Sequence, residues 1–453
     1  MKWLDYLKFL PEVKKPEKKL GFNDKLKWTI TILILYFLLS VIPLYGLNPD
    51  YVAQFESLSV LLAAKLGSLI SLGIGPIVSG SIILQLLNGA GIININTQSK
   101  EGREQYQLLQ KGVNVFFIIF MNAMYVLSGA IPPAQGTALN IALLIIQLVL
   151  GGLLLMLFDE ITSKWGFGSG ISLFIAAGVS QQIFVTALSP IINQGTGYFV
   201  GYIPLILQLF VQGNPGAAIW PALSIIATVG VFLLVVFAQS IKVNIPLTMG
   251  RVRGYNIKWP IKFFYTSNIP VIFTASFIAM IQIIGLFMSN AGMPLLGEFA
   301  GQKPISGLAL WLQFPSIQDL FIQGIGTFIP QLIIYPLFMI LGSIGFSVLW
   351  LQVGGQDAAS VAGQIYETGL SIPGFRRDKR ILERVLSRYI NPLAILGAAT
   401  VGLLAVIADL FSALTRGTGI LLAVMIIYGI YENIARTGLD NASPAVKKLF
   451  EAL

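Results

Sequence analysis

The chain has 453 residues, of which 55% are hydrophobic and only 11% charged, with a formal net charge of +9 and a mean hydropathy of +0.79. Soluble domains carry about 25% charged residues. Cysteine and histidine are both absent, which excludes disulfides, zinc sites of the Cys/His type and histidine-based acid–base catalysis. The composition therefore predicts a membrane protein with little equipment for catalysis.

The N-terminus does not have the pattern of a cleaved secretory signal, because Met1–Leu20 is basic and interrupted by prolines. Trp3, Leu4, Leu7 and Leu10 fall at helical spacing among charged residues. This spacing predicts a short helix on the membrane surface, with a solvated amphipathic helix as the alternative.

Ten apolar runs approach the roughly 20 residues that a helix needs to cross a bilayer. A further run, Tyr198–Val211, is shorter, contains Pro204 and is predicted to be a re-entrant or interfacial helix. The ten predicted spans are Trp28–Tyr45, Leu69–Leu87, Val113–Ile131, Leu139–Leu157, Gly170–Leu188, Ala217–Ala238, Ile269–Phe287, Phe328–Trp350, Ile390–Ile407 and Thr418–Tyr431.

The basic residues support this number of spans. When loops are assigned to alternate sides, only Lys65, Lys303 and Arg416 of the 29 lysines and arginines fall opposite the N-terminus. Because positive residues stay in the cytoplasm, both termini are expected there.

The long uncharged connection Ser189–Gly216 divides the spans into two sets of five, which predicts an N-terminal half, 1–205, and a C-terminal half, 206–453. The second span of each half is interrupted, by Gly73, Gly75 and Pro76 in one and by Ser267-Asn-Ile-Pro270 in the other. Interruptions at matching positions of two repeats indicate a transport site. An ordinary kinked helix explains them equally well.

Charge is absent from the middle of every predicted span, which disfavours a carrier that binds its substrate through charged groups. Asp409, near the outer end of the ninth span, either pairs with Arg416 or faces water. Ile74 and Val78, like Ile171 and Ile175, are four residues apart, so each pair shares a helix face. Such pairs pack helices or face lipid; taken together, they could form an apolar constriction that gates by dewetting.

Four motifs make the sequence similar to the SecY family, the channel subunits of the Sec protein translocon, and most similar to its archaeal and eukaryotic branch. The motifs occur in the family's order along the whole chain, with the large basic loops in matching places. They are Leu72-Gly-Ile-Gly-Pro-Ile-Val78, Gly168-Ser-Gly-Ile-Ser-Leu-Phe-Ile175, Ser267-Asn-Ile-Pro-Val-Ile272 and Gly417-Thr-Gly-Ile-Leu-Leu422.

The resemblance implies an all-α polytopic fold with ten transmembrane helices in two pseudo-symmetric halves around a central pore. It implies a pore ring formed by Ile74, Val78, Ile171, Ile175, Ile272 and Leu422. If the tenth helix is rotated, Leu421 takes the place of Leu422 in this ring. It implies a plug, a short helix on the outer side, formed by Leu61, Leu62, Ala63, Ala64, Lys65, Leu66, Gly67, Ser68, Leu69 and Ile70.

A lateral gate is implied between the second and third spans and the seventh and eighth. Its polar residues correspond to Ser79, Asn268 and Asn122, although the family's third-span position aligns more closely with Met121. The resemblance also implies partners: a SecE-type subunit, a small beta-type subunit, signal sequences and nascent polypeptides, membrane lipid and the translating ribosome. No cofactor is implied.

Two basic loops resemble the ribosome-docking loops of the family and contain Arg251, Arg253, Arg376 and Arg377. Positive-inside topology and anionic lipid would explain basic loops without a ribosome. Two long basic loops exceed what orientation requires, which favours a phosphate-rich RNA partner.

Together with the sequence patterns, the resemblance to the SecY family implies a passive protein-conducting channel in the plasma membrane of a prokaryote, driven by a partner. A P-loop motor is disfavoured, because no G-x-x-x-x-G-K-[ST] run occurs. The alternative is a secondary transporter of an uncharged or anionic solute. An intramembrane enzyme is the third interpretation, with neither histidine nor a buried carboxylate pair to support it.

Overall fold

The computed structural model describes most of the chain. The described residues are 12–18, 20–48, 67–89, 92–93, 95, 100–129, 131–193, 196–249, 256–266, 269–290, 292–300, 303–315, 317–371 and 378–436. The surface helix predicted around Trp3–Leu10 lies outside these residues.

Helices dominate the described residues. In chain order they are α1 (Phe22–Val41), α2 (Gly75–Gly89), α3 (Lys100–Leu127), α4 (Ala138–Trp165), α5 (Gly170–Leu188), α6 (Tyr202–Val211), α7 (Pro215–Ser240), α8 (Ile269–Asn290), α9 (Gly307–Trp311), α10 (Ile317–Gln323), α11 (Ile329–Val353), α12 (Ala358–Glu367), α13 (Lys379–Leu410) and α14 (Gly417–Arg436). A short 3₁₀ turn, Ile325–Phe328, precedes α11.

Each of the ten predicted spans overlaps one of these helices. Within the described part of the chain, α3, α4, α5, α7, α8, α11 and α13 are long and apolar enough to cross a membrane by length and composition. The helices α2, α6 and α14 are apolar but shorter, and α1 is a 20-residue helix. The fold is therefore that of a helical membrane protein, and ten spans are consistent with it.

Two predicted boundaries are wrong for local reasons. The second span was expected to start at Leu69, but residues 69–74 form turns and α2 starts at Gly75, because Gly73 adopts a left-handed φ of +54°. The first span was expected to reach Tyr45, but α1 ends at Val41. Ile42 there is extended, as expected of a residue before a proline.

The chain divides into two compact units: residues 1–84, 100–225 and 426–453 form unit one, and residues 85–99 and 226–425 form unit two. In unit one, α4 packs against α1, α3 and α5. An apolar cluster at these contacts contains Ile32, Tyr36, Ile70, Ile77, Ile118, Leu155, Met156 and Phe174. The predicted division at residues 205 and 206 stays a prediction.

In unit two, α11 packs against α8 and α13, and α12 packs against α13. A three-stranded antiparallel sheet adds a layer that the sequence analysis did not predict. Its strands are β1 (Lys242–Met249), β2 (Asn256–Lys262) and β5 (Leu370–Ser371), in the order β2-β1-β5; a separate two-stranded ribbon pairs β3 (Phe299–Ala300) with β4 (Lys303–Pro304).

One face of this sheet is apolar, because alternate residues of a strand point to the same side. Ile245, Leu247 and Ile261 are buried, whereas Asn244 and Lys258 are exposed. The buried face joins an apolar cluster, named here the sheet cluster, whose other members come from α11, α12 and α13: Leu351, Ala358, Val361, Ala362, Ile365, Leu382, Leu386, Ile390 and Ala394.

Candidate pore, gate and docking residues

The predicted ring residues of unit one lie at the starts of two helices. Ile74 directly precedes α2, and the N–H of Val78 donates to the carbonyl of Ile74 at 3.0 Å. Ile171 is the second residue of α5, and Ile175 follows one turn later. Ile74 and Ile171 both pack, partly buried, against the apolar cluster of unit one. The structure therefore brings these two predicted ring residues to one apolar surface.

A carboxylate from the preceding helix holds the start of α5. Asp159 Oδ1 accepts from the backbone N–H of Ile171 at 2.8 Å and from the Ser169 hydroxyl at 3.4 Å. The N–H of Gly170 also donates to this carboxylate. Gly170 is needed here, because a Cβ would lie 2.6 Å from the Cα of Asp159. The sequence analysis assigned no role to Asp159.

The predicted ring residues of unit two lie on α8 and α14. Ile272 is half-buried between the buried Val271 and Phe273. Leu421 and Leu422 are both buried, so burial does not distinguish them. A ring made from residues of both units stays a prediction.

The described part of the predicted plug is not helical. Gly67–Ile70 forms turns, with a bridge between Ser68 and Pro43. The carbonyl of Gly67 accepts from the N–H of Leu44 at 2.8 Å. The expected helix is therefore wrong for these four residues, since this segment pairs with the chain after α1. The remainder of the predicted plug, Leu61–Leu66, lies outside the described residues.

The predicted gate residues differ in their surroundings. Ser79 is half-buried on α2, and Asn268 lies outside the described residues. Asn122 on α3 is 1% exposed. Its Nδ2 donates to the carbonyl of Ile118 at 2.6 Å, and its Oδ1 is buried without a hydrogen-bond partner. Asn122 is thus a buried polar residue with one unused acceptor.

The predicted docking residues Arg251, Arg253, Arg376 and Arg377 lie outside the described residues, but both of their loops start from the sheet. Met249, at the end of β1, pairs with Leu370 of β5, and Thr248 pairs with Ser371. The Thr248 hydroxyl donates to the Ser371 carbonyl at 3.2 Å. The structure therefore places the start of one basic loop beside the start of the other.

A stripe of basic residues lies on the helix after the second loop. Arg380, Arg384 and Arg388 are all exposed on α13, whereas Leu382 and Leu386 are buried in the sheet cluster.

Tyr265, at the base of the hairpin, donates to the carbonyl of Gln356 at 2.8 Å. Burial, followed by the charge of Asp357, raises the pKa of Tyr265 to about 12, so its hydroxyl remains a donor at neutral pH.

Unit one contains a charged cavity of about 780 Å³ that the sequence analysis missed. Glu160 forms ion pairs with Lys111 at 2.9 Å and with Lys164 at 2.8 Å. Lys164 also pairs with Glu12 at 3.0 Å and donates to the carbonyl of Val13. The cavity extends to Ile171. The i,i+4 spacing of Glu160 and Lys164 was a visible signal, but Lys111 and Glu12 are distant in sequence.

Unit two contains a smaller cavity, of about 360 Å³, beside Asp409 and Arg416. Asp409 Oδ2 accepts from the Tyr335 hydroxyl at 2.5 Å, and its Oδ1 accepts from the N–H of Gly417 at 2.6 Å. The hydrogen bonds of Asp409 thus come from Tyr335 and the start of α14. The sequence analysis expected either a pair with Arg416 or exposure to water, and did not predict these two donors.

These features define a polytopic helical membrane protein with long, mainly apolar helices. Among the described residues, no cluster of three or more acidic side chains is placed to hold a metal ion. In the same part of the chain, the carboxylates Glu160 and Asp409 are engaged by ion pairs or hydrogen bonds within the protein.

Comparison with known proteins identifies the family. A family model described as SecY matches residues 68–431, and one described as the plug domain of Sec61p matches residues 34–67. The protein translocase subunit SecY of Pyrococcus furiosus is 42% identical over 468 residues, covering 98% of each chain. Protein transport protein SEC61 subunit alpha of Yarrowia lipolytica is 37% identical over 474 residues, covering 98% of this chain and 99% of the relative.

A solved protein-conducting channel is 40% identical, with a TM-score of 0.81, over 97% of this chain and 98% of the other. Sec61 in the canine ribosome–channel complex from the endoplasmic reticulum has the same identity and coverage, with a TM-score of 0.79. The chain belongs to the SecY family. It is a protein-conducting channel of the translocase and not an enzyme, which sets the transporter alternative aside.

Proposed function

We propose that this chain passes polypeptides through a pore that an apolar collar closes at rest, the collar being the predicted ring Ile74, Val78, Ile171, Ile175, Ile272 and Leu422. The observation that carries the proposal is the packing of Ile74 and Ile171 against one apolar cluster, each at the start of its helix. The absence of charge from the middle of every predicted span supports it.

The chemistry of the collar suits its task. A channel for polypeptides must accept every kind of side chain and still block ions. Branched aliphatic side chains offer no hydrogen bonds to water, so a narrow ring of them dewets when it is empty. They also move aside for a passing chain without binding it. The predicted plug, Leu61–Ile70, would add a second barrier.

The collar is tested by changing Ile74 and Ile171 together to serine and measuring ion conductance in planar bilayers. Serine hydrates the constriction, so resting conductance should rise by at least about tenfold while polypeptide translocation continues. Ile146→Ser on α4 is the matched control, because Ile146 is 54% exposed and outside the proposed collar. Folded ring variants as ion-tight as the parent would refute the collar. Deleting Leu61–Ile70 should likewise give a leaky channel that still translocates.

The partner that drives transport is proposed to be the translating ribosome, bound through Arg251, Arg253, Arg376 and Arg377. The common origin of the two loops at β1 and β5 supports this proposal, as does the similarity to Sec61 in a ribosome–channel complex. Each lost phosphate contact should flatten the dependence of log affinity on log salt by about one unit.

The docking proposal is tested with Arg251→Glu and Arg376→Glu together, measured by ribosome co-sedimentation over a salt series. Binding should weaken and the slope should fall by about two units. Arg416→Glu is the control, because it reverses an exposed arginine predicted to face the opposite side of the membrane. An unchanged slope in the double variant, or an equal loss in the control, would contradict docking at these loops.

Transmembrane segments are proposed to leave the channel sideways, through a gate whose polar residues are Ser79, Asn268 and Asn122. Polar contacts between membrane helices contribute on average about 0.6 kcal/mol, a size that a moderately hydrophobic segment can overcome. Asn268→Leu should shift the hydrophobicity at which a graded Leu/Ala segment inserts into lipid. A strongly hydrophobic segment, far above the threshold, should be unaffected. An unmoved threshold would leave Asn268 with a purely structural role.

The remaining proposals concern assembly and location. We expect SecE-type and small beta-type subunits beside the two halves, 1–205 and 206–453, in the plasma membrane of a prokaryote with both termini in the cytoplasm. The distribution of lysine and arginine supports this orientation. Because the chain has no cysteine, single cysteines placed near each terminus can be labelled from either side. Labelling from the outer side would contradict the orientation.

A further inference from the structure

The starts of α5 and α14 share a way of satisfying their first backbone N–H groups. Each helix begins within a Gly-Ser/Thr-Gly-Ile motif, Gly168–Ile171 in one case and Gly417–Ile420 in the other. In each case an aspartate near the end of the preceding helix, Asp159 or Asp409, lies eight or nine residues before the motif.

Both aspartates accept hydrogen bonds from the first N–H groups of the next helix. Asp159 accepts from Ile171 at 2.8 Å, and Asp409 accepts from Gly417 at 2.6 Å. The first N–H groups of a helix have no partner within the helix, and leaving them unsatisfied is costly where they are buried, as Gly170 and Gly417 are. A carboxylate also interacts favourably with the positive end of the helix dipole.

Each helix start also lies very close to the preceding helix, at a position that only glycine can occupy. A Cβ on Gly417 would lie 2.2 Å from the carbonyl oxygen of Ala405, and a Cβ on Gly170 would lie 2.6 Å from the Cα of Asp159, so neither position has room for a side chain. The residue before α14 is Arg416, whose side chain has no hydrogen-bond acceptor. Asp409 therefore supplies the acceptor oxygen that a local N-cap residue would otherwise provide. In the first motif the capped N–H groups are those of Gly170 and Ile171, whereas in the second the capped N–H is that of Gly417, two or three motif positions earlier. The two caps are therefore alike in chemistry but do not act on matching residues of the motif.

We propose that Asp159 and Asp409 are positioning residues of the channel, each setting the placement of a helix start from which predicted ring residues project. Asp159 acts on Ile171 and Ile175, and Asp409 acts on Leu421 or Leu422. The effect on the pore rests on the proposed collar, whereas the effect on the helix start rests on the observed hydrogen bonds. The same cap serves once in each half.

The first test measures position without relying on ion flow. Because the chain has no cysteine, Ile171→Cys carries the sole thiol, and its labelling rate with a water-soluble maleimide reports its placement. Adding Asp159→Leu should change this rate by about fivefold, the ratio that corresponds to loss of one helix cap. Asp159→Asn keeps an accepting oxygen and should stay near the parent rate. If the asparagine and leucine variants change the rate equally, an accepting oxygen is not sufficient, and the hydrogen-bond mechanism of the proposal is overturned.

Glu160→Gln is the matched control, since it alters the neighbouring carboxylate on the same helix, which pairs with Lys111 and Lys164 instead of with α5. Its labelling rate should equal that of the parent. An equal change in this variant would show a general loosening of the end of α4 and would also overturn the proposal.

The second test applies the same comparison to Asp409, with Leu422→Cys and Leu421→Cys as reporters. Asp409→Leu should alter labelling, and Asp409→Asn should not. Tyr335→Phe removes the other hydrogen bond of Asp409 but leaves the bond from Gly417, so it should resemble the parent. If Tyr335→Phe matches Asp409→Leu, the aspartate acts through Tyr335 and not on the helix start.

Ion conductance separates this inference from the collar itself. Asp159→Leu should raise resting ion conductance, as Ile171→Ser should. If Ile171→Ser leaks and Asp159→Leu changes neither conductance nor labelling, the positioning role fails and the collar stands. If Ile171→Ser remains ion-tight, the collar fails, and the labelling rates still decide the positioning role.

Discussion

The helix ends of this protein are organised by two different kinds of interaction. In unit two, the sheet cluster buries aliphatic side chains between β1, β2 and the helices α12 and α13. In unit one, Glu160 joins Lys111 and Lys164, and Lys164 holds the segment around Glu12 and Val13. The first assembly relies on burial and the second on charge.

The difference matters because the two interactions respond to different conditions. Apolar burial is proportional to area and changes little with salt. Ion pairs near a surface weaken as salt screens them. We therefore expect the layer that carries the proposed docking loops to keep its structure over a wide range of conditions, while the N-terminal segment detaches more readily.

The largest expected effect comes from Ile365→Ala, which opens a cavity in the sheet cluster. Ile365 is 1% exposed, and such truncations cost about 2–5 kcal/mol. The hairpin formed by β1 and β2 should become sensitive to limited proteolysis and should lose hydrogen-exchange protection. Tyr366→Ala is the matched control, because the neighbouring side chain on the same helix is exposed. Equal protease sensitivity in both variants would show that burial does not hold the sheet.

A smaller effect is expected from Glu160→Leu, which leaves Lys111 and Lys164 without their shared carboxylate. Glu160 is 14% exposed in its side chain, and hydrogen bonds to charged groups contribute about 1.5–3 kcal/mol. Residues 12–18 should become accessible to protease, and added salt should have the same effect on the parent. A parent insensitive to salt would contradict an electrostatic attachment.

The smallest effect is expected from Glu12→Gln. The Glu12 side chain is 69% exposed, and exposed ion pairs contribute at most about 1 kcal/mol. Protease accessibility of residues 12–18 should stay within about a factor of two of the parent. A change as large as that of Glu160→Leu would mean that the outer pair, rather than Glu160, anchors the segment.

Local signals explain which elements the sequence predicted well. The boundaries of α5, Gly170–Leu188, were predicted to the residue from the apolar run alone. The helix coincides with that run, because Ser169 caps its start and Pro190 follows its last turn. The spans around α3 and α13 were predicted too short. Their polar first turns lie beyond the apolar run, where hydropathy carries no information about the helix.

The sheet was missed although its signal was present. Val243, Ile245 and Leu247 alternate with polar residues at a period of two, but Pro246 and Pro260 weaken the pattern of a strand. The ion-pair network and the cap by Asp159 could not be predicted, since they join residues whose proximity depends on how α3, α4 and α5 pack. For the same reason, the ring is a prediction from motifs rather than from spacing.

The pairing of Met249 with Leu370 makes the two proposed docking loops arms of one bivalent ligand. Once one loop has bound, the other is held close to the same partner, so its binding is intramolecular and depends on an effective concentration rather than on encounter from solution. Two weak contacts can then exceed either one alone by about 10²–10⁴ in avidity. A channel arranged in this way can release its partner quickly, because the loss of one contact removes most of the avidity.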